Sequence, residues 1–395
     1  LARLALALLY WGFIRSIFGG FVMPDAPILP KSYEAMYVEA YECARRGDSE
    51  GAIAMLERIL KRLSSLSPET LARAETAAEL AFMVGRQLAD LYSGTGRYDE
   101  AAALLPGLAR FLPGREAELT RVVARVRLEE GDFEAALGIA TELTGQYPHE
   151  AVNWNALGDI QFSRGDFDEA EKSYKRSLAE EPTGFFAPDA WRRLFRLYSE
   201  QGLVERADEA WDRMAALDSE AAAEFAGDLY SFLLEAGALS RLRQRLSASG
   251  PTPAAELYRG LLEEREGDRA QARRRWQRLI SEDPTELAHG QVEWGEAAIR
   301  VGELDAAIAV LSMIRVDAPV VDRRLLLLAI AQALVGQIDL LAETLGMATR
   351  ELTRSLPRRA LFGRREWKLF TSLVADRRAR EAAKPYFAVV EVAQP

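Results

Sequence analysis

The sequence predicts an all-α protein made of repeated helix pairs, and three observations carry that prediction. The spacing Gly-x-x-x-x-Ala recurs as Gly47…Ala52, Gly96…Ala101, Gly131…Ala136, Gly165…Ala170, Gly202…Ala207, Gly267…Ala272 and Gly302…Ala307. With the degenerate versions Gly237…Leu242 and Gly336…Leu341 included, successive glycines stand 49, 35, 34, 37, 35, 30, 35 and 34 residues apart. A proline follows its glycine by 17 residues at Pro113, Pro148, Pro182, Pro284 and Pro319. Glycine tolerates the left-handed dihedrals at a helix end, and proline cannot extend a helix. Each unit therefore reads as helix A, turn, helix B, stop, repeated about nine times over residues 32–355.

Residues 151–184 show one unit complete. Gly165-Asp166 ends helix A and restarts the chain as helix B, and Pro182 biases Glu181 away from helical dihedrals. Gly158 and Ala170 lack bulk, which lets the two helices approach, while Trp154, Leu157 and Tyr174 fill the space between units. These residues stand at the offsets of the tetratricopeptide repeat, and the run resembles that family closely. The resemblance implies a right-handed α-solenoid whose A helices line a concave face and bind other proteins.

Before the repeats, residues 1–23 form an apolar run long enough, at about 1.5 Å per residue, to cross a hydrocarbon layer of about 30 Å. It is expected to be a single-pass membrane anchor, most simply in a bacterial inner membrane, with Arg15 snorkelling toward the end near Met23. A signal segment or an amphipathic surface helix are the competing readings. Arg3 and Lys31 are too few to set its orientation. The chain begins with Leu1, so an initiator or an earlier segment is expected to be missing. Residues 24–31, with three prolines, read as the anchor's extended linker.

Two irregular intervals carry predictions. The 49-residue interval implies a lengthened helix B in the first repeat or helix A in the second. The 30-residue interval, with S-A-S-G-P-T-P near 247–253, implies a shortened helix B and a division of the array into halves there. Beyond 355 the period fails, so 356–395 is a short non-repeat tail. Trp367, Phe370 and Leu373 share one helix face, and residues 385–393 have strand composition. The tail reads either as the cap a solenoid needs or as the start of a further, truncated domain.

Composition excludes several functions. The 60 acidic and 50 basic residues give a formal net charge of -10, which argues against nucleic acid as a partner. One cysteine, Cys43, rules out an internal disulfide framework and reads as packing. His149 and His289 lack metal-ligand spacing, so neither metal nor cofactor is expected. No phosphate loop, nucleophile elbow or metalloprotease motif is present, and no catalytic residue is assigned. Glu129-Glu130 and Glu263-Glu264 read as solvated helix ends.

The resemblance places function on the A-helix face. With the Trp154 repeat as register, the fifth and ninth positions are Tyr37 and Tyr41, Arg86 and Asp90, Arg121 and Arg125, Asn155 and Asp159, and Arg192 and Arg196. Later repeats give Gly227 and Ser231, Leu257 and Leu261, Val292 and Glu296, and Leu326 and Ile330. Repeats two to five thus present five arginines around Asn155, with few acids expected between them. Arginine recognises carboxylates bidentately, so Arg86, Arg121, Arg125, Asn155, Asp159, Arg192 and Arg196 are the candidate groove for an acidic peptide or a free C-terminus. The bland alternative is that these arginines are solvated or paired within their helices. Repeats seven to nine present an apolar face, suited to an amphipathic helix or to the C-terminal segment folding back.

The expected function is a non-enzymatic, membrane-tethered scaffold that binds other proteins. The alternative is the regulatory arm of an enzyme, because L-F-G-R-R-E-W-K-L-F…Y-F-A-V-V-E-V resembles the start of small nuclease-like domains.

Overall fold

The structure, a computed structural model, describes residues 31–45, 48–65, 75–109, 114–287, 289–314, 321–352 and 364–387. The expected anchor and the prolines at 113 and 319 lie outside those residues. The described chain is helical throughout its regular elements. It forms two compact units, one of residues 1–91 and 103–116, the other of 92–102 and 117–395. In the first run α1 (Lys31–Arg45), α2 (Ser49–Ser64), α3 (Glu75–Gly94) and α4 (Tyr98–Ala109), the last two contributing their facing ends to the second unit. The 20-residue α3 is the lengthened helix A that the long interval requires.

In the second unit the pairs continue as α5 (Glu116–Glu130) and α6 (Phe133–Gln146), α7 (Ala151–Arg164) and α8 (Phe167–Glu180), and α9 (Ala187–Glu200) and α10 (Val204–Leu217). A short α11 (Ser219–Glu224) precedes α12 (Ala226–Glu235) and α13 (Leu239–Ala248). Then come α14 (Pro253–Arg265) and α15 (Arg269–Leu279), α16 (Gln291–Val301) and α17 (Leu304–Met313), and α18 (Val321–Val335) and α19 (Ile338–Leu352). The chain closes with α20 (Arg364–Leu373), α21 (Arg377–Ala383) and a 3-10 turn at Lys384–Tyr386.

The turn chemistry follows the sequence. Gly165 ends α7 at φ 96°, its N–H donating to the carbonyls of Gln161 and Phe162, and Gly131, Gly267 and Gly302 adopt the same left-handed conformation. Asp132 and Asp268, next in sequence to their glycines, then cap helix B by accepting from the N–H groups of Ala135 and Gln271. Every alanine five residues past a turn glycine is fully buried, and Leu242 and Leu341 do the same work in the degenerate repeats. A Cβ on Gly158 would collide with the Tyr174 ring, and one on Gly260 with Trp276, so the A and B helices meet where no side chain fits.

One expectation fails here. The array does not divide near 247–253: one core cluster runs from Phe162 through Leu246, Ala254 and Ala255 to Val301. The short turn is stapled, because the Arg259 guanidinium donates to the carbonyls of Leu246 (2.6 Å) and Ser249 (2.8 Å), and Tyr230 and Ser249 share a hydroxyl hydrogen bond. A shortened helix B is present, the ten-residue α13. Most of the expected strand, residues 388–393, lies outside the described chain; before it Lys384–Tyr386 is a 3-10 turn with Pro385 in its first turn, and Phe387 is extended. Phe370, Val374, Ala379, Ala383 and Phe387 enter the core cluster of α16 to α19. The tail helices thereby cover the last repeat's apolar side.

Candidate functional site

The candidate residues of the second unit stand on the A helices α5, α7 and α9. Arg121 leaves α5 and reaches the start of α7, where Nη1 donates to Glu150 Oε2 (3.1 Å) and Asn153 Oδ1 (2.5 Å). Arg125 pairs with Glu129 one turn along its own helix, at 3.8 Å. Asp159 on α7 accepts from the Tyr174 hydroxyl (2.9 Å) and from two nitrogens of Arg193. Arg192 pairs with Asp189 (3.0 Å) and lies over the Phe225 ring. Arg196 is exposed above the Phe162 ring, its guanidinium 5.1 Å from the centroid, with no ion-pair partner among the described residues.

Asn155 differs from all of these. It is 2% exposed, and neither Oδ1 nor Nδ2 has a hydrogen-bond partner. Buried amide groups are almost always paired.

The expectation of cations with few acids between them is corrected. Glu129, Glu150, Asp159 and Asp189 are interleaved with the arginines; Glu129, Glu150 and Asp189 pair with Arg125, Arg121 and Arg192, and Asp159 pairs with the neighbouring Arg193. Burial alone would raise the Asp189 carboxyl, but Arg193 and Arg192 outweigh it and hold it below the ordinary carboxylate range. The Tyr174 hydroxyl is pushed well up, first by burial and then by the Asp159 charge. Glu129 is buried, not a solvated helix end, and Glu263 is half-buried against Arg275. The face is therefore a mosaic of charge pairs with one open guanidinium, Arg196.

On this face the most connected cation is Arg193, one position away from the register that singled out Arg192. The signal for it was the i, i+4 pair Asp189…Arg193 within α9. Arg86 and Asp90 belong to α3 in the first unit, where Arg86 is exposed. Tyr37 is half-buried and Tyr41 exposed on α1.

The apolar face expected in repeats seven to nine is not open. Leu257, Leu261, Val292, Leu326 and Ile330 are all buried. Arg323 of α18 donates to Glu293 (2.5 Å) and Glu296 (2.8 Å) and lies over Tyr258 of α14, and a Cβ on Gly227 of α12 would meet both Arg323 and Glu293. Four A helices thus converge on one buried ionic cluster, and the absent side chain of Gly227 makes its room. Burial would raise the Glu296 carboxyl, but Arg300 and Arg323 keep it lowered.

Among the described residues no group of three or more His, Cys, Asp or Glu is placed to hold a metal ion, and His149 pairs with Glu180 at 3.0 Å. No described helix is long and apolar enough to cross a membrane.

Comparison with known proteins agrees with the repeat geometry. Profiles of the tetratricopeptide repeat match residues 86–151 and 123–185, 161–229, and 254–285. A search of curated proteins finds no match. Among solved structures, the chain is similar to a tetratricopeptide repeat protein of Parabacteroides merdae, with 15% identity and a TM-score of 0.38 over 69% of this chain and 99% of that one. A thermophilic TPR protein of Thermus thermophilus has 21% identity and a TM-score of 0.37, over 51% and 99% of the two chains. MamA of Desulfovibrio magneticus has 14% identity and a TM-score of 0.32, over 49% and 98%. With its turn glycines, buried alanines and matched segments in one register, the chain carries tetratricopeptide repeats over residues 86–229 and 254–285 and folds as an α-solenoid of helix pairs.

Proposed function

We propose that this protein is a non-enzymatic scaffold that binds other proteins, and that the face formed by α5, α7 and α9 takes an acidic segment or a free C-terminal carboxylate. Arg196 carries this reading: on the A helix that follows α7 it is an exposed guanidinium with no ion-pair partner among the described residues. Arg121, Arg125 and Arg192 supply guanidiniums that exchange an internal carboxylate for an incoming one. That exchange is isoelectric for the arginine, so affinity rests on Arg196 more than on total charge.

Fluorescence anisotropy with a labelled decapeptide of glutamates, in free-carboxylate and amidated forms, tests the proposal. Arg196→Ala and the double variant Arg121→Ala/Arg192→Ala should weaken binding, each lost charged hydrogen bond costing about 1.5 to 3 kcal/mol. Unchanged affinity at unchanged helicity would show that these arginines serve only their internal pairs. In the same reading, residues 1–23 tether the scaffold to a bacterial inner membrane. Recovery of the intact full chain in the soluble fraction would remove the tether.

A further inference from the structure

On the B-helix side of the second unit, charges of successive repeats pair from α8 to α13, and the pairing stops at α15. Arg206 of α10 reaches back to Glu171 of α8. Arg241 and Arg245 of α13 reach back to Asp208 of α10 (3.2 and 2.7 Å), and Arg245 also holds Asp212 (2.6 Å). Arg243 of α13 reaches forward to Glu266 at the turn into α15, so α13 lies between α10 and α15. α13 carries no acid, and neither does α15, whose 11 residues include five arginines. Arg275 turns inward to Glu256 and Glu263, and Arg273 donates to the Val301 carbonyl. Arg269, Arg274 and Arg278 are exposed and have no ion-pair partner among the described residues. The opposite charge stands on α10. The side chains of Glu205 and Glu209 are 83% and 68% exposed, and their pairs with Arg241 and Arg213 are loose, at 3.7 and 3.8 Å. Between these two helices, α13 exposes only Ser240, Gln244, Ser247 and Ala248 besides Arg243.

We propose that this B-helix face is the contact between two copies of the chain, related by a two-fold axis running along α13. A two-fold interface needs a patch that complements itself, and acid on one side of α13 with base on the other is such a patch. Rotation about an axis along α13 sets α10 of each copy over α15 of the other. Rotation about an axis across the helices would set α10 on α10 and α15 on α15, like charge on like. The first rotation preserves height along the helices. Counted from the turn glycines Gly202 and Gly267, Glu209 and Arg274 both stand 7 residues on, and Asp212 and Arg278 stand 10 and 11. Glu209 of one copy therefore meets Arg274 of the other, with Glu205 one turn before, and the contact is made twice. Arg213, the cation that would come nearest Arg278, is drawn to Glu209 of its own helix. The small uncharged side chains of α13 let the copies approach along the axis. Three helices about 10 Å apart and about 16 Å long offer roughly 500 Å² per copy, short of the roughly 800 Å² per partner of a standard interface. The dimer is therefore weak, and its exposed ion pairs are screened by salt.

Sedimentation velocity of the full chain over a concentration series, at about 0.1 M and about 1 M salt, tests the proposal. The parent chain should pass from monomer to dimer with rising concentration at the lower salt and stay monomeric at the higher. Arg274→Glu and Glu209→Arg should each weaken the dimer about tenfold or more, because each reverses a contact made twice. An equimolar mixture of the two variants should dimerise like the parent, since each mixed pair holds one parent contact and one swapped contact. Circular dichroism checks that both variants keep their helices. A dimer that Arg274→Glu leaves intact, or a mixture that does not associate, overturns the proposal. Species that grow beyond the dimer overturn the two-fold axis. A parent chain that stays monomeric at every concentration, and pellets with phosphatidylglycerol vesicles only when Arg274 is present, would give the basic helix to an anionic membrane instead.

Discussion

Arg193 grips the Asp159 carboxylate of the preceding repeat with two nitrogens, Nε at 2.8 Å and Nη2 at 3.0 Å, and holds Asp189 of its own helix at the same time. Tyr174 closes the arrangement by donating its hydroxyl to Asp159. One guanidinium therefore ties helices α7 and α9 together on the face where a partner is proposed to sit.

Arg193→Ala should destabilise the second unit by about 1.5 to 3 kcal/mol, the range for hydrogen bonds to charged groups, because it leaves two carboxylates facing each other. Arg193→Lys should recover only part of the loss, since an ammonium cannot make the two parallel bonds. Urea unfolding followed by circular dichroism measures both. Equal stability of the alanine variant and the parent would mean that solvent replaces the pair at no cost.

Two glycines should respond in opposite directions to the same substitution. Gly158→Ala drives a methyl into the Tyr174 ring and should cost about 1 to 3 kcal/mol. Gly138→Ala, within α6 where a Cβ meets nothing within 4 Å, should stabilise by about 0.4 to 1 kcal/mol. Melting temperatures of the two variants decide it.

Asn155→Ala removes a buried amide that has no hydrogen-bond partner, so it should hold or raise the melting temperature. A marked loss of stability would show that the amide serves the fold.

Acid should loosen the ionic cluster of α16 and α18. The Glu296 carboxyl is lowered in the folded chain relative to its ordinary value of 4.5. Its contribution is therefore fully present above that value and is lost as pH falls through the lower folded value. Thermal melts taken from pH 7 down to pH 3 should fall steeply below about 4.5, and Glu296→Gln should flatten that fall while lowering stability at pH 7.

Much of the fold was legible because its determinants are local and repeated. Gly165 adopts φ 96° at the end of helix A, and Ala170, like the alanine or leucine at its place in every other repeat, is fully buried. The candidate face was legible only in part. The register brought out Arg192 but passed over Arg193, because a helical position fixes where a Cβ points and not where a long side chain finds its partner.

The sequence by itself determined the repeat, its turns, the alanines and leucines at their centre, and the presence of extra length between the first two turns, which the structure assigns to α3. Those features depend on residues within about two helices of each other, and each recurrence restates them. Tertiary structure alone decided what became of the A-helix face. It closed repeats six to nine by bringing Arg323, Glu293, Glu296, Tyr258 and Gly227 together from four helices. It also carried the core unbroken past Gly250 and left Asn155 buried without a partner. Each outcome turns on how closely successive A helices approach, a distance set by the sum of all packed side chains between them, which no single repeat encodes.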